Sequence, residues 1–442
     1  MKVVIGIGLT GLSCLRFLIA QGEKVAAIDS RESPPDFNKF QQEFPQIPYT
    51  VGSFDSPLLN QAQELIISPG VSLQEPPIAK LIAKGIPVIG DVELFARKLK
   101  KPLIGITGSN GKTTVTSLMG KMVTDAGYTA EVCGNIGQPV LSAIEKTVPD
   151  FYVAELSSFQ LETTYSLKPL TAVVLNVCPD HMDRYASYED YRQAKRRIYQ
   201  NCQYPVVNAD EPEIWQDLKF SNLPITFSLQ PQNEGFCLQE SAGESYLALG
   251  QQLLLPVKAM QFSQQYEFQN ALAALALGSA AGLPMASLLK TLQEFRGLPH
   301  RCQAIGEFGG IRWYNDSKGT NVGATIAALL SLGRAKSGRL FLIAGGDSKK
   351  ADLSSLLTPM TRYVDQLILM GQDAPLFQKL LADKLPIKQV VSMEEAVFFA
   401  ARSARPGDIV LLSPACASLD MFRNYAHRGE VFVQAVIDYF KG

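Results

Sequence analysis

The chain has 442 residues, and Lys+Arg 41 against Asp+Glu 42 leaves a net charge of −1. Apolar residues make up 46% and charged residues 19%, a globular balance that argues against a disordered chain. So neutral a chain lacks the electrostatic footprint of a nucleic-acid binder. At roughly 150 residues per domain, the length suggests about three domains.

The elements read in chain order as alternating strands and helices. The N-terminus enters a strand over residues 2–7 with no basic or apolar leader, so no signal peptide is expected. A Gly-rich turn, a helix from about residue 12, a strand over 24–28 and strand-like runs at 64–67 and 86–89 follow. Asp91 reads as the N-cap of a helix that runs toward the lysine-rich stretch 98–101. A second block opens with a strand over 103–106, another Gly-rich turn and a helix over 112–126. Strands over 151–155 and 171–177 come next, and the short alternating runs of 204–257 suggest an antiparallel extension. The stretch 271–289 carries no charge but is broken by Pro284, so it reads as two soluble helices rather than a membrane span. The third block has strand candidates at 340–344, 366–370, 389–391 and 408–412. The expected fold is α/β with three domains, at 1–95, 96–297 and 298–442. Seven cysteines without a CxxC pair fit a reducing cytoplasm better than a disulfide framework or a zinc site.

Two strand–turn–helix loops carry the chemistry most plainly. Gly6-Ile-Gly8-Leu9-Thr10-Gly11 lets backbone approach a diphosphate at a helix N-terminus, and Asp29 ends the next strand, where a ribose or base contact would fall. Alone, this loop fits a nicotinamide or flavin dinucleotide, or a tight turn without ligand. The second, Thr107-Gly108-Ser109-Asn110-Gly111-Lys112-Thr113-Thr114, resembles a P-loop although its glycine spacing departs from the strict pattern. Its N–H groups would cradle phosphates, Lys112 would neutralise them, and the Thr113 hydroxyl would bind Mg²⁺. A dehydrogenase needs no second phosphate loop, and two loops suggest two phosphorylated ligands.

Other polar residues cluster at expected strand ends. Glu155 ends an apolar strand before Leu-Ser157-Ser158, and the loop after the following strand contains Asp180-His181-Met-Asp183-Arg184. Oxygen ligands beside a phosphate loop suit Mg²⁺; a helix cap and a surface histidine are the plainer alternatives. The run Tyr191-Arg-Gln-Ala-Lys195-Arg196-Arg197 reads, taken alone, as a solvated basic helix face. The last block carries Asn315-Asp316-Ser317-Lys318-Gly319-Thr320-Asn321, Asp347-Ser-Lys349-Lys350 and Ser413-Pro-Ala-Cys-Ala-Ser418-Leu419-Asp420. These suit an anionic ligand or are ordinary turns.

Taken together, these segments, with Gly134-Asn135-Ile-Gly137 and Gly297-Leu-Pro-His-Arg301, resemble the Mur ligase family along nearly all of the chain. The closest resemblance is to the branch that adds D-glutamate. It implies a Rossmann-like UDP-binding domain, a central P-loop-type mononucleotide-binding ATPase domain and a C-terminal Rossmann-like α/β domain that brings the amino acid. It implies ATP-dependent amide formation on UDP-N-acetylmuramoyl-L-alanine through an acyl phosphate and a tetrahedral intermediate, in the cytoplasm, by a monomer. Leu9, Thr10, Asp29, Ser30, Arg31 and Gly70 would hold the UDP part; Asn135, Ser157 and His181 would face the muramoyl-alanine. The 108–114 loop, Asn270, Arg301, Asp316 and Lys318 would serve ATP. Thr320, Lys349, Ser418, Leu419 and Tyr425 would grip D-glutamate. Lys112, His181 and Lys195 would be catalytic. Mg²⁺, with Mn²⁺ as an alternative, would lie near Thr113 and Glu155, and a second ion near His181 and a carbamylated Lys195. Tyr266-Glu267 stands where the family carries His-Asn, and Gly319 where it carries Ala. Folylpolyglutamate synthase, an NAD-dependent dehydrogenase and a non-catalytic nucleotide-binding module are the competing readings.

Overall fold

The computed structural model describes residues 1–144, 148–261 and 265–441, with the side chains of residues 265, 266, 334 and 335 left aside. Tyr266, at the position of the family's His-Asn pair, therefore lies outside the described side chains.

Three sheets organise the chain. The first contains β1 (Lys2–Ile5), β2 (Val25–Asp29), β3 (Tyr49–Val51), β4 (Glu64–Ile67) and β5 (Val88–Ile89), in the order 3-2-1-4-5. Its pairs are all parallel, and β2 is buried at every position. Continuous apolar strands are what a sheet covered on both faces demands. The second sheet holds β6 (Leu103–Thr107), β7 (Ala130–Gly134), β8 (Phe151–Glu155), β9 (Thr171–Val174), β10 (Tyr204–Asn208), β11 (Ile225–Ser228), β12 (Phe236–Ser241), β13 (Glu244–Leu249) and β14 (Gln252–Pro256). Their order is 14-13-12-11-10-9-6-8-7. The antiparallel extension expected over 204–257 is confined to β12–β14, since β10 and β11 pair parallel with their neighbours.

The third sheet is built from β15 (Gln303–Phe308), β16 (Ile311–Asn315), β17 (Leu340–Gly345), β18 (Gln366–Met370), β19 (Ile387–Gln389) and β20 (Ile409–Leu412), in the order 15-16-20-17-18-19. Alternate residues of β17 face opposite cores. Leu340, Leu342 and Ala344 pack with Leu367, Leu369 and Phe377, while Phe341 and Ile343 pack with Ile368, Met393 and Phe432. This three-part α/β architecture agrees with the expected fold class.

Helices that position polar groups are α1 (Leu9–Ala20), α2 (Lys112–Asp125), α3 (Tyr188–Arg196), α4 (Gln265–Ala280), α5 (Val322–Ala335) and α6 (Tyr425–Lys441). The chain forms two compact units. One contains residues 1–177, 189–257 and 269–293; the other contains residues 178–188, 258–268 and 294–442. Among the described residues, no helix is long and apolar enough to cross a membrane.

Two local expectations are corrected. The N-cap before residue 91 is Gly90, and Asp91 is the first helical residue, with a buried carboxyl rather than a capping one. The strand expected at 389–391 ends at Gln389. The Val391 N–H donates to Glu395 Oε2, and Ser392 caps the helix that follows, so apolar Val391 belongs to a capping turn.

Candidate functional site

The phosphate loop joins β6 to α2 in the first unit. Gly111 precedes α2 with φ +85°, and a Cβ there would collide with Asn270 Oδ1. Glycine is needed at this position twice over, for the left-handed backbone and for the approach of Asn270. The loop is tied to the segment after β9. Ser109 N–H donates to Asn176 O at 2.9 Å, Asn110 N–H to Asn176 Oδ1 at 2.8 Å, and Asn176 Nδ2 to Asn110 O at 3.1 Å. Lys112 Nζ donates to Gly108 O at 2.7 Å and Ser109 O at 2.9 Å, which places its charge over the loop. Thr113 and Thr114 occupy the first turn of α2, where N–H groups have no intrahelical partner.

Glu155 ends β8 beside this loop, paired in register with Ile106 of β6. Its side chain is buried. Oε1 accepts from Asn135 Nδ2 at 2.7 Å, and Oε2 has no hydrogen-bond partner among the described residues. A buried, unpaired carboxylate oxygen is costly unless something positive completes it. That orphan fits the donor set a divalent ion requires. Among the described residues, no group of three or more His, Cys, Asp or Glu gathers to hold a metal alone. A Mg²⁺ ion here would draw on Glu155, the Thr113 hydroxyl and phosphate oxygens. Ser157, two residues on, N-caps the short helix Ser158–Glu162 in a reciprocal capping box with Gln160.

Lys195 and Arg196 of α3 are buried, which overturns the solvated reading of that run. Lys195 Nζ donates to Gly108 O at 2.7 Å and lies 4.5 Å from the centroid of the Tyr191 ring, whose hydroxyl is 3.1 Å from Ser109 Oγ. Hydrophobic periodicity gave no sign of this, because Lys195 is buried against a carbonyl of the phosphate loop while Arg196 pairs with Asp217. Asn176 was missed too, although its place after a strand end was a usable signal.

In the first sheet, Asp29 is buried at the end of β2. Its Oδ2 accepts from Ile7 N–H at 2.7 Å and from Arg31 Nη2 at 2.7 Å; its Oδ1 accepts from Arg31 N–H at 2.9 Å and Nε at 2.8 Å. Burial pushes this carboxyl up, but the Arg31 side chain and the Arg31 and Ile7 backbone groups hold it below the usual carboxylate range. Asp29 thus fixes the Gly-rich turn to β2. Leu9, Ser30, Arg31 and Gly70 are exposed nearby along the ends of β1, β2 and β4, and Thr10 is half-buried in the first turn of α1.

In the second unit, Asp316 follows β16 and is buried. Ser413 Oγ donates to its Oδ2 at 2.7 Å and Cys302 N–H to its Oδ1 at 3.0 Å; Ser413 Oγ also meets Thr325 Oγ1 at 3.0 Å. Burial pushes the Asp316 carboxyl up to about 7, against these hydrogen bonds and the charges of Arg301 and Arg428. Lys318 Nζ sits 3.8 Å from the centroid of the Tyr425 ring, at the start of α6. Ser418 is buried and Leu419 is 74% exposed in the loop after β20. The Asp180 carboxylate binds Lys349 and Asn321, and His181 beside it has a left-handed backbone, φ +58°.

Arg428 of α6 was not foreseen. It is buried, and among the described residues no carboxylate is a hydrogen-bond partner: Nη2 donates to Ser317 O at 2.8 Å, Nε to Ser317 Oγ at 3.0 Å, and Nη1 to Cys416 O at 3.2 Å. Burial pulls it down to about 10, so it stays charged near neutral pH. Its planar fork joins the loops after β16 and β20.

A phosphate loop beside a buried acidic strand end, with a Gly-rich first sheet and an Asp/Lys-bearing third, defines a nucleotide-binding α/β protein. The chain belongs to the Mur ligase family: its residues 1–90 match the Mur ligase MurD-like N-terminal domain, 106–278 the Mur ligase middle domain and 300–416 the Mur ligase glutamate ligase domain. It is 52% identical over 436 residues to the UDP-N-acetylmuramoylalanine--D-glutamate ligase of Coxiella burnetii, covering 99% of this chain and 98% of that protein. The fold is similar to that of the UDP-N-acetylmuramate-alanine ligase MurC of Thermotoga maritima, with TM-score 0.62, 18% identity and 99% of each chain covered. It is also similar to MurF ligase of Thermotoga maritima in complex with ADP, with TM-score 0.62, 15% identity and 94% and 95% of the chains covered.

Proposed function

We propose that the protein is an ATP-dependent ligase that joins D-glutamate to UDP-N-acetylmuramoyl-L-alanine, a cytoplasmic step of peptidoglycan precursor synthesis carried out by a monomer. The observation that carries this reading is the near-full-length identity with the Coxiella burnetii ligase.

The chemistry begins with two anions that repel each other. The alanine carboxylate oxygen attacks the γ-phosphorus, the bond from that phosphorus to the ADP oxygen breaks, and an acyl phosphate forms. The D-glutamate amine then attacks the acyl carbon through a tetrahedral intermediate, loses a proton, and phosphate leaves with one oxygen of the former carboxylate. Charge neutralisation and alignment are the main tasks of the protein in such a transfer. Lys112 and the N–H groups of 108–114 bind the phosphates. Thr113 and Glu155 would hold Mg²⁺, which would neutralise phosphate charge. Asn270, which touches Gly111, serves the nucleotide together with Arg301, Asp316 and Lys318.

Leu9, Thr10, Asp29, Ser30, Arg31 and Gly70 bind the UDP part, and Asn135, Ser157 and His181 the muramoyl-alanine. Thr320, Lys349, Ser418, Leu419 and Tyr425 bind D-glutamate. A carbamate on Lys195 would turn a cation into an oxygen donor for a second ion shared with His181. It would keep one N–H on Nζ, so the hydrogen bond to Gly108 O is compatible with it.

Phosphate release from ATP with UDP-N-acetylmuramoyl-L-alanine tests the reading. Release with D-glutamate, and not with L-glutamate or meso-diaminopimelate, is expected. Equal release with all three, or with none, overturns it.

A further inference from the structure

Lys349 and Thr320 stand on different loops of the second unit, after β17 and before α5. One carboxylate joins the two loops, through Lys349 and through Asn321 beside Thr320. Asp180 Oδ1 accepts from Lys349 Nζ at 2.8 Å and from His181 N–H at 2.9 Å, and its Oδ2 accepts from Asn321 Nδ2 at 3.2 Å. Asn321 is itself fixed. Its Oδ1 caps α5 by accepting Ala324 N–H at 2.9 Å, which turns the amide nitrogen toward Asp180.

The loop that carries Lys349 is shaped at some cost. Lys349 and Lys350 both have left-handed backbones, φ +52° and +57°, conformations that lysine rarely adopts. The Lys349 N–H donates to Asp347 Oδ1 at 2.8 Å, and Asp347 bridges to Ala417 on the loop that leads to Ser418. The Lys349 side chain is 20% exposed, against 11% for Asp180. The ammonium is therefore pinned to Asp180 in a side chain that remains partly exposed to solvent. An ammonium has three N–H donors; Asp180 takes one.

From this geometry we propose that Asp180 is a positioning residue for amino-acid recognition: it orients Lys349 and the Thr320–Asn321 turn so that both meet a carboxylate of the incoming amino acid. The inference rests on the proposed function, in which Lys349 and Thr320 bind D-glutamate. A lysine without this anchor would spread its charge over many rotamers, and binding would bear the ordering entropy. A simple surface ion pair would not need Asn321 and a strained backbone to hold it. If Asp180 were instead a competitor for Lys349, removing its charge would tighten D-glutamate binding.

The test is steady-state kinetics of wild type, D180N, K349M and the double variant, with D-glutamate varied at saturating ATP and UDP-N-acetylmuramoyl-L-alanine. D180N should raise KM for D-glutamate about tenfold, with kcat within about threefold and KM for ATP unchanged, the pattern of lost ground-state binding. In the double variant, the rise in KM should fall clearly short of the product of the two single effects, because the part of Asp180's action that passes through Lys349 is already lost in K349M. If D180N does not fold, D180E carries the same test: a longer arm displaces Nζ and raises the same KM. An unchanged or lowered KM for D-glutamate, a fall confined to kcat, or additive effects in the double variant would overturn the role. Wild-type turnover with D-glutamate tests the proposed function separately; with that turnover present, an unchanged KM in D180N removes the positioning role alone.

Discussion

Asn135 Nδ2 and Glu155 Oε1 are 2.7 Å apart, and this one hydrogen bond sets the direction in which the other carboxylate oxygen points. Glu155 Oε2 is left buried and unbonded among the described residues. Groups that orient a metal-binding carboxylate commonly contribute about 10–100-fold in metal affinity. N135A should therefore raise the Mg²⁺ concentration needed for half-maximal phosphate release by about that factor. A Mg²⁺ titration that matches wild type would contradict the assignment of Glu155 as a metal-binding carboxylate.

The backbone at Gly111 gives a second expectation. G111A places a Cβ on a left-handed residue and against Asn270 Oδ1. The strain is on the order of 1–2 kcal/mol, and the shift of Asn270 would reach the nucleotide. The variant should melt earlier and gain less thermal protection from ATP than wild type. Equal protection would argue that Gly111 and Asn270 do not flank the nucleotide.

Asp91 makes stability depend on pH. Burial pushes its carboxyl from 3.8 up to about 6, only partly offset by Gln160. The folded state therefore favours the protonated acid. That contribution is complete below the ordinary carboxylate value and is lost as pH rises through about 6. D91N, neutral and similar in shape, should be more stable than wild type at pH 8, by something on the order of 2–3 kcal/mol, and nearly equal to it at pH 4. Thermal melting of both proteins across this range isolates the effect, since the raised Asp316 is common to both. A difference that does not grow with pH would show that Asp91 does not ionise in a buried site.

Lys195 predicts a chemical rescue. K195A should lose activity by orders of magnitude and recover part of it with short-chain carboxylic acids, which supply the missing oxygens. Protein equilibrated with ¹³C-bicarbonate should show a carbamate carbonyl resonance that K195A lacks. No rescue and no resonance would leave Lys195 as a cation bound to Gly108 O.

Much of the fold was legible because the strands are short, apolar and followed by polar or small turn residues. The Glu64–Ile67, Phe151–Glu155 and Gln366–Met370 strands fall where the sequence places them. Val391 misled because its hydrophobicity resembles a strand continuation, while Ser392 and Glu395 use it as the entry to a helix. The phosphate loop was visible from its glycines and Lys112, which act locally. Arg428 was not visible, because its partners lie on two separate loops, one of them 111 residues away, and are mostly carbonyl oxygens, which every sequence carries. Burial of Lys195 was hidden for a similar reason: only the folded chain brings Gly108 O beneath α3.

The central claim is that phosphorus is transferred to the alanine carboxylate before the amide forms. UDP-N-acetylmuramoyl-L-alanine labelled with ¹⁸O in that carboxylate tests it directly, by mass analysis of the phosphate released in the presence of D-glutamate. The account predicts one ¹⁸O in each phosphate. Unlabelled phosphate, formed at the same rate as the amide, would contradict it.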